Sequence, residues 1–215
     1  MLGPVGQGPV AELGHVRLTP PSSSPAITVC TPSGNFGNLT AGLMARRAGL
    51  PIRRFVAATN VNDVVPEYLA TGRFTPRPSV PTIANAMDVG NPSNFERMSW
   101  LYDGDLDVMR RDIAGSRHGD DEVLAAIKRV CNERGYLLDP HSAIAYLGLK
   151  ASLESNGEIG IFLATAHPAK FGEIVGPAIG RPADIPAPLA EALARPRHLL
   201  RIPASLDAVV AALVT

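Results

Sequence analysis

Lysine is scarce in this chain of 215 residues: only three of its 20 basic residues are lysines, at positions 128, 150 and 170. An excess of charge is also lacking, because 20 acidic residues balance the basic ones. The zero net charge argues against a nucleic acid or an anionic membrane as the partner. Hydrophobic residues make up 46% of the chain, which is typical of a globular protein with a substantial core.

Cysteine and long apolar runs are scarce as well. Cys30 and Cys131 are the only cysteines, too few for a disulfide framework and without the spacing of a zinc site. The five histidines show no paired ligand spacing, so no metal site is predicted. No segment approaches the roughly 20 apolar residues of a membrane span, and the N-terminus lacks the pattern of a secretion signal. We therefore expect a cytoplasmic protein without a membrane partner.

The pattern along the chain predicts an α/β fold. Residues 1–25 are rich in glycine, proline and serine and are predicted to form an irregular leader, whereas residues 26–215 alternate strand-like and helical segments. This alternation predicts three layers, a mainly parallel sheet with flanking helices. Ala26–Cys30 and Arg53–Ala57 are expected to be neighbouring parallel strands joined by a helix in a right-handed crossover. Residues 73–119 are predicted to be rich in loops.

Strands are predicted at Ala26–Cys30, Ile52–Thr59, Ile159–Thr165 and, more weakly, in the run "HLLRI" at residues 198–202. The predicted helices span Leu39–Ala48, Asn62 or Asp63 to Ala70, Asn94–Leu101, Asp120 or Asp121 to Arg134, Pro140–Leu153, residues 168–179, Leu189–Ala194 and the residues from Ser205 onward.

The segment "SGNFGN", Ser33–Asn38, lies between the first predicted strand and its helix. Glycines let the backbone approach an anion closely, and the amides of a helix N-terminus favour negative charge. Ser33, Asn35 and Asn38 would add side-chain donors. The segment has neither the lysine of a P-loop nor the spacing of a dinucleotide loop. It therefore predicts a phosphate or carboxylate site; the alternative is a tight strand-to-helix turn that needs glycine and asparagine for its geometry.

Five segments, in order, resemble the signature segments of threonine synthases. They are "PSGNFGNLTAG", "AATNVNDVVPEYLATGRF", "RPSVPTIANAMDVGNPSNFER", "LLDPHSAIAYLG" and "LATAHPAKF". The resemblance covers residues 26–215 and corresponds only to the C-terminal half of that family. It implies the large domain of fold type II pyridoxal-phosphate enzymes, pyridoxal phosphate as the cofactor, and the conversion of O-phosphohomoserine and water to threonine and phosphate.

The resemblance also implies site residues. Gly34, Asn35, Phe36, Gly37 and Asn38 would hold the cofactor phosphate, with Ser33 at the edge. Thr165 would contact the pyridine nitrogen; its alternative role is to cap the following helix. A second group would line or support the substrate cleft or, alternatively, belong to a loop held by its own asparagine and aspartate turns: Asn85, Asp88, Asn91, Ser93, Asn94 and Arg97. Asp139 is expected to cap a helix beside His141.

The family's catalytic lysine, which holds the cofactor as a Schiff base, belongs to an "FKD"-like segment of the N-terminal half, and no such segment occurs here. No catalytic residue is therefore predicted in this chain. The first hypothesis is a truncated threonine synthase that is inactive alone and self-associates through apolar surface uncovered by the truncation. The alternative is a stand-alone module that binds a phosphate ligand or serves in assembly.

Overall fold

The computed structural model describes residues 25–153 and 157–214. The predicted leader falls almost wholly on residues 1–24, outside the described residues. The chain divides into two compact units, one extending to Ala183 and the other beginning at Asp184.

The first unit contains a parallel four-stranded sheet. Its strands are β1 (Ile27–Pro32), β2 (Arg54–Thr59), β3 (Ile113–Arg117) and β4 (Ile159–Phe162), in the order β3-β2-β1-β4. Val29 lies opposite Phe55, and Val29 also lies opposite Ile161, all in parallel register. The predicted parallel pairing of the first two strands is therefore confirmed. Because every strand is parallel, all carboxyl ends meet at one edge of the sheet, where ligands of open α/β folds bind.

Seven α-helices surround this sheet among the described residues of the first unit. They are α1 (Gly37–Arg47), α2 (Val64–Thr71), α3 (Phe95–Leu101), α4 (Leu106–Asp112), α5 (Asp120–Arg134), α6 (Pro140–Ser152) and α7 (Gly172–Ile179), with 3-10 turns at Asn85–Met87 and Pro168–Phe171. The segment 168–179 was predicted as one helix and is divided between the second turn and α7.

Alternate residues of β2 belong to two separate cores. Phe55 and Ala57 pack with apolar residues of α1 to α4, whereas Val56 and Ala58 pack with those of α5, α6 and α7. Successive side chains of a strand point to opposite faces of a sheet, so helices cover both faces. The predicted three-layer α/β architecture is confirmed.

The prediction of loops for residues 106–117 is wrong, because this segment forms α4 and β3. The strand reads "IAGSR" and offers only one large apolar residue, Ile113, so it lacks apolar alternation. Its small residues are required by packing: a Cβ atom at Gly115 would lie 2.9 Å from Cα of Pro66 in α2. Because α2 packs so closely on β3, this strand carries small residues where an apolar alternation would otherwise be expected.

The prediction of a strand at residues 198–202 is also wrong. The second unit contains α8 (Ala187–Ala194) and α9 (Leu206–Val214), and the residues between them form no strand. Leu199 is 83% exposed. A short apolar run forms a strand only where a partner strand accepts its hydrogen bonds, and the described residues of this unit offer none.

Two predicted helix caps have different outcomes. Asp139 caps α6 as predicted, since its carboxylate accepts a hydrogen bond from the amide of His141. The cap of α5 is Gly119 rather than Asp120 or Asp121.

Among the described residues, no helix has the length and apolar character needed to cross a membrane.

Candidate functional site

The loop Ser33–Asn38 leaves the carboxyl end of β1, between β2 and β4. Its first residue is fixed to the sheet, because the Ser33 amide donates to Ala58 O (2.8 Å) and its hydroxyl donates to Thr31 O (3.0 Å). Phe36 adopts the left-handed conformation (φ 59°) and buries its ring in the core on the α1 side. The loop is therefore anchored at its start and at its centre.

The amides of residues 34–38 donate to no acceptor in the described part of the chain, and the Thr40 amide makes the first helical bond, to Phe36 O (2.9 Å). A left-handed residue followed by a helical one turns successive N–H groups toward a common point. The positive end of the α1 dipole adds to this field. The loop consequently presents a row of donors, unpaired within the described residues and suited to an anion.

The two glycines of the loop differ in their surroundings. A Cβ atom at Gly34 would lie 2.7 Å from Cα of Met87 and 2.9 Å from O of Ala86, whereas at Gly37 it would meet only Nδ2 of Asn94, at 3.8 Å. Gly34 is thus required by contacts within the protein. The space beside Gly37 is left open by the protein, and a ligand that approaches the backbone there would account for this glycine. Contacts within the protein therefore account for Gly34 but not for Gly37.

Two residues of the group compared with the substrate cleft, Ser93 and Asn94, contact the loop. The Ser93 amide donates to Oδ1 of Asn35 (2.7 Å), and the Ser93 hydroxyl lies 3.1 Å from both Oδ1 and Nδ2 of that residue. Nδ2 of Asn94 donates to the Asn35 carbonyl (2.8 Å). These bonds join segments that are 58 and 59 residues apart in the sequence.

Asp88 lies in a polar network at the carboxyl end of β2. Its Oδ1 accepts from Nδ2 of Asn60 (2.8 Å) and from the hydroxyl of Thr82 (2.8 Å), and its Oδ2 accepts from the Thr82 amide (3.0 Å). Asn60 is 1% exposed and also accepts from the amide of Asn62 (2.9 Å). Asn60 was not predicted, although its position directly after a buried strand was a usable signal.

The remaining predicted substrate residues are exposed: Asn85, Asn91 and Arg97. Nη1 of Arg97 donates to Oδ1 of Asn94 (3.3 Å). Asn91 lines a cavity of about 210 Å³ together with Ser93 and the stacked rings of Phe74 and Phe95. The structure thus brings Ser93 and Asn94 to the loop, whereas no hydrogen bond among the described residues joins Asn85, Asp88, Asn91 or Arg97 to it.

Thr165 is exposed and lies three residues beyond β4, the strand that pairs with β1. Its alternative role as a helix cap is wrong, since His167 caps the following turn through Nδ1, which accepts from the amide of Ala169 (3.1 Å). The side chain of Thr165 bonds to no group in the described residues. Its predicted contact with a cofactor ring stays a prediction.

All three lysines are exposed: Lys128 in α5, Lys150 in the last turn of α6 and Lys170 in the turn after β4. A lysine that forms a Schiff base at neutral pH is usually desolvated or placed beside another cation, so that its pKa is low. None of the three is buried. The described residues also hold no group of three histidine, cysteine or carboxylate side chains that could bind a metal.

Two buried histidines border the carboxyl edge. Oδ1 of Asp139 accepts from the His141 amide and lies 2.9 Å from its Nδ1, and the Ser142 hydroxyl also donates to this carboxylate. Burial opposes ionisation of Asp139, yet these hydrogen bonds hold the pKa of its carboxyl below the usual value. His118, with Nε2 2.6 Å from Oγ of Ser116, has a pKa lowered by burial.

Comparison with known proteins places this geometry in a family. The family model "Pyridoxal-phosphate dependent enzyme" matches residues 13–163, which include the loop, and the model "Threonine synthase, C-terminal" matches residues 142–213. The chain belongs to the family of pyridoxal-phosphate-dependent enzymes. Its sequence corresponds to the C-terminal portion of a threonine synthase. The first match begins at residue 13, within the segment predicted as a leader.

Similar proteins agree on this assignment. Threonine synthase from Escherichia coli is 42% identical over 193 residues, which are 90% of this chain and 44% of that protein. Its crystal structure superposes with a TM-score of 0.78 at 38% identity and covers 91% of this chain, but only 45% of the solved chain is matched. A structure of threonine synthase from Brucella melitensis with bound PLP gives a TM-score of 0.75 at 34% identity, over 80% of this chain and 42% of the other.

The chain thus spans somewhat less than half the length of these relatives. Pyridoxal phosphate is the cofactor of the family. The donor row and the open space beside Gly37 suit the phosphate group of such a cofactor, so the residues present fit it. The fold prediction of a fold type II pyridoxal-phosphate domain is confirmed by these structures.

Proposed function

We propose that this chain is the phosphate-binding portion of a threonine synthase and holds pyridoxal phosphate through the backbone amides of Gly34–Asn38. The observation that carries the proposal is the pairing of five unsatisfied amides with an open space beside Gly37. Ser33 fixes the start of this row, and Phe36 turns it by its left-handed backbone. When bound, the cofactor supplies an electron sink for reactions at the α-carbon of an amino acid.

Thr165 is proposed to contact the pyridine nitrogen. It is exposed and follows the strand adjacent to β1, so it would be placed to contact a ring held at the β1 loop. A hydroxyl can donate to an unprotonated ring nitrogen, whereas a carboxylate would favour the protonated form. This choice moderates the electron demand of the ring.

For the whole enzyme we propose the conversion of O-phosphohomoserine and water to threonine and phosphate. These 215 residues provide the phosphate site, and the amine that must bind the cofactor aldehyde lies outside them. The support is the exposure of Lys128, Lys150 and Lys170, which gives none of them the environment of a catalytic amine. The chain alone is expected to bind the cofactor weakly and to form no threonine.

The test is an absorbance titration of the chain with pyridoxal phosphate, followed by borohydride reduction and peptide mapping. Saturable binding with substoichiometric labels spread over the three lysines and the N-terminal amine is expected. Gly37→Asp should abolish saturable binding, because its carboxylate would occupy the anion position. Gly172→Asp is the matched control, since Gly172 also begins a helix with no atom within 4 Å of its Cβ position. Absence of saturable binding would refute the phosphate site.

One lysine labelled stoichiometrically, with threonine formed from O-phosphohomoserine, would refute the claim that the amine lies elsewhere. The second candidate function, a module for another phosphate ligand, predicts that inorganic phosphate binds as tightly as pyridoxal phosphate. It also predicts that Thr165→Val changes neither affinity. Tighter binding of the cofactor, lost in Thr165→Val, favours the first proposal.

Self-association and a cytoplasmic location belong to the proposal as well. β4 is an edge strand, and Ile159 and Ile161 are 45% and 43% exposed on the same side of it. Unpaired apolar edges associate with other strands. Sedimentation velocity is expected to show concentration-dependent association in the micromolar range, reduced in the variant Ile161→Lys. A monomer at all these concentrations would contradict the expectation.

A further inference from the structure

We propose that residues 80–94, here called the support loop, position the phosphate-binding amides rather than bind substrate, with Asn35 and Ser93 as the clamp between the two segments. This inference rests on the proposed function, because it concerns how the same loop acquires its geometry. It favours one of the two roles that the sequence left open for Asp88, Ser93 and Asn94, a supporting loop rather than a substrate cleft.

The clamp engages both polar atoms of the Asn35 side chain. Oδ1 of Asn35 accepts from the Ser93 amide at 2.7 Å, and the Ser93 hydroxyl lies 3.1 Å from both side-chain polar atoms. An amide group has two donors and one acceptor oxygen, so few remain for a ligand. Asn35 is therefore turned toward the support loop, and the phosphate donors are backbone amides.

A second contact fixes the preceding peptide. Gly34 lies so close to the support loop that an added Cβ would be 2.7 Å from Cα of Met87 and 3.3 Å from its carbonyl carbon. Nδ2 of Asn94 then holds the carbonyl of Asn35 at 2.8 Å. The peptide planes on both sides of Asn35 are thus restrained, and the direction of an N–H group follows from its peptide plane.

The support loop is itself anchored to the sheet. Asp88, next to Met87, accepts hydrogen bonds from Asn60 at the end of β2 and from Thr82. Asn62 completes the anchor, because its Oδ1 accepts from the Val80 amide (2.7 Å) and its Nδ2 donates to the Val80 carbonyl (2.9 Å). A continuous set of contacts therefore runs from β2 through the support loop to the phosphate-binding amides.

The experiment compares Asn35→Ala, Ser93→Ala and the double variant of the full chain, with inorganic phosphate and pyridoxal phosphate as separate probes. Asn132→Ala is the matched control, an exposed asparagine of α5 that lies outside both segments. We expect about tenfold weaker binding of both probes in Asn35→Ala, a change equal to about 1.4 kcal/mol. Ser93→Ala should weaken binding severalfold, Ser93→Thr should restore it, and the double variant should match Asn35→Ala.

The result for Ser93 separates a clamp from a direct contact. If the Asn35 amide donated to the phosphate itself, Asn35→Ala would lose affinity and Ser93→Ala would not, and this outcome would overturn the proposal. Additive losses in the double variant would overturn it too, because partners in one interaction are not additive. Melting temperatures check that each variant is folded.

Backbone ¹⁵N order parameters of residues 34–38, measured by NMR without ligand, are the readout that separates the two levels of the argument. A clamp predicts lower order parameters in Asn35→Ala and in Ser93→Ala, with no change in Asn132→Ala. If the parent chain binds neither probe, the proposed function fails while the order parameters still decide the clamp. Unchanged order parameters in both clamp variants would refute it.

Discussion

The two glycines of the loop Ser33–Asn38, Gly34 and Gly37, allow protein stability and ligand binding to be tested separately. Gly34→Ala adds a methyl group whose nearest neighbours, Cα of Met87 at 2.7 Å and O of Ala86 at 2.9 Å, are backbone atoms. Such neighbours move only with their segment, so the cost is that of overpacking, about 1–3 kcal/mol. For a chain of this size, that free energy lowers the melting temperature by about 2–12 °C.

Gly37→Ala should behave in the opposite way. Its added methyl group would meet only Nδ2 of Asn94 at 3.8 Å, which is ordinary van der Waals contact. Alanine also restricts the unfolded chain and favours a helix, so the stability gain is between about 0 and 1 kcal/mol. The same methyl group enters the space assigned to the phosphate, and pyridoxal phosphate should bind about tenfold more weakly.

The assay combines urea unfolding with titration by pyridoxal phosphate on parent and variants. The expected pattern is a destabilised Gly34→Ala and a Gly37→Ala that is stable but binds poorly. Gly172→Ala serves as the control, because it begins another helix without near neighbours and takes no part in the phosphate site. A Gly37→Ala variant that binds the cofactor like the parent would refute the assignment of that space to a ligand, and an unchanged Gly34→Ala would refute the packing argument.

Three further predictions concern buried groups. Burial raises the pKa of the Cys30 thiol to about 12, so a thiol reagent at pH 8 should label the half-buried Cys131 in the native chain and both cysteines in urea. Burial lowers the pKa of His118 from 6.5. As the pH falls, this histidine therefore takes up a proton in the unfolded chain before it does so in the folded chain, so its contribution to stability is present above pH 6.5 and lost below it. The variant His118→Gln should flatten the fall of the urea midpoint in this pH range. Asp139→Ala removes a cap and leaves buried partners unpaired, which should lower the free energy of unfolding by about 2–4 kcal/mol in a urea titration.

Apolar periodicity predicted the long buried helices correctly. It failed for elements whose residues are set by close packing or by the lack of a partner strand. α5 and α6 carry clear patterns and caps, and both were placed within two residues of their ends. β3 was missed because Gly115 must fit against Pro66, so the strand could not carry large residues. The strand assigned to 198–202 shows the reverse error, since an apolar run is a strand only in the presence of a partner.

In the candidate site, features set by neighbouring residues could be predicted from the sequence, whereas contacts between distant segments could not. The anion-binding character predicted for residues 33–38 is local, because it follows from a strand, two glycines and a helix start. The contact of Asn35 with Ser93 joins loops 58 residues apart, and no pattern in either segment indicates it. The sequence therefore left Ser93, Asn94 and Asp88 between a substrate cleft and a loop held by its own turns, and the structure shows hydrogen bonds between all three and other parts of the protein.

The proposed chemistry of the site would allow one portion of an enzyme to keep a ligand site without a reaction. Backbone amides bind phosphate through geometry alone, and here that geometry is fixed by Phe36, by Gly34 against Met87 and by the clamp of Asn35 and Ser93. None of these contacts involves a lysine. Schiff-base chemistry, in contrast, needs one amine at one place, and the three lysines of this chain are exposed at other places. The affinity for phosphate should therefore not depend on the presence of a catalytic amine. Adding a small primary amine to the solution should leave the affinity for inorganic phosphate unchanged, because the backbone amides proposed to bind it do not depend on that amine.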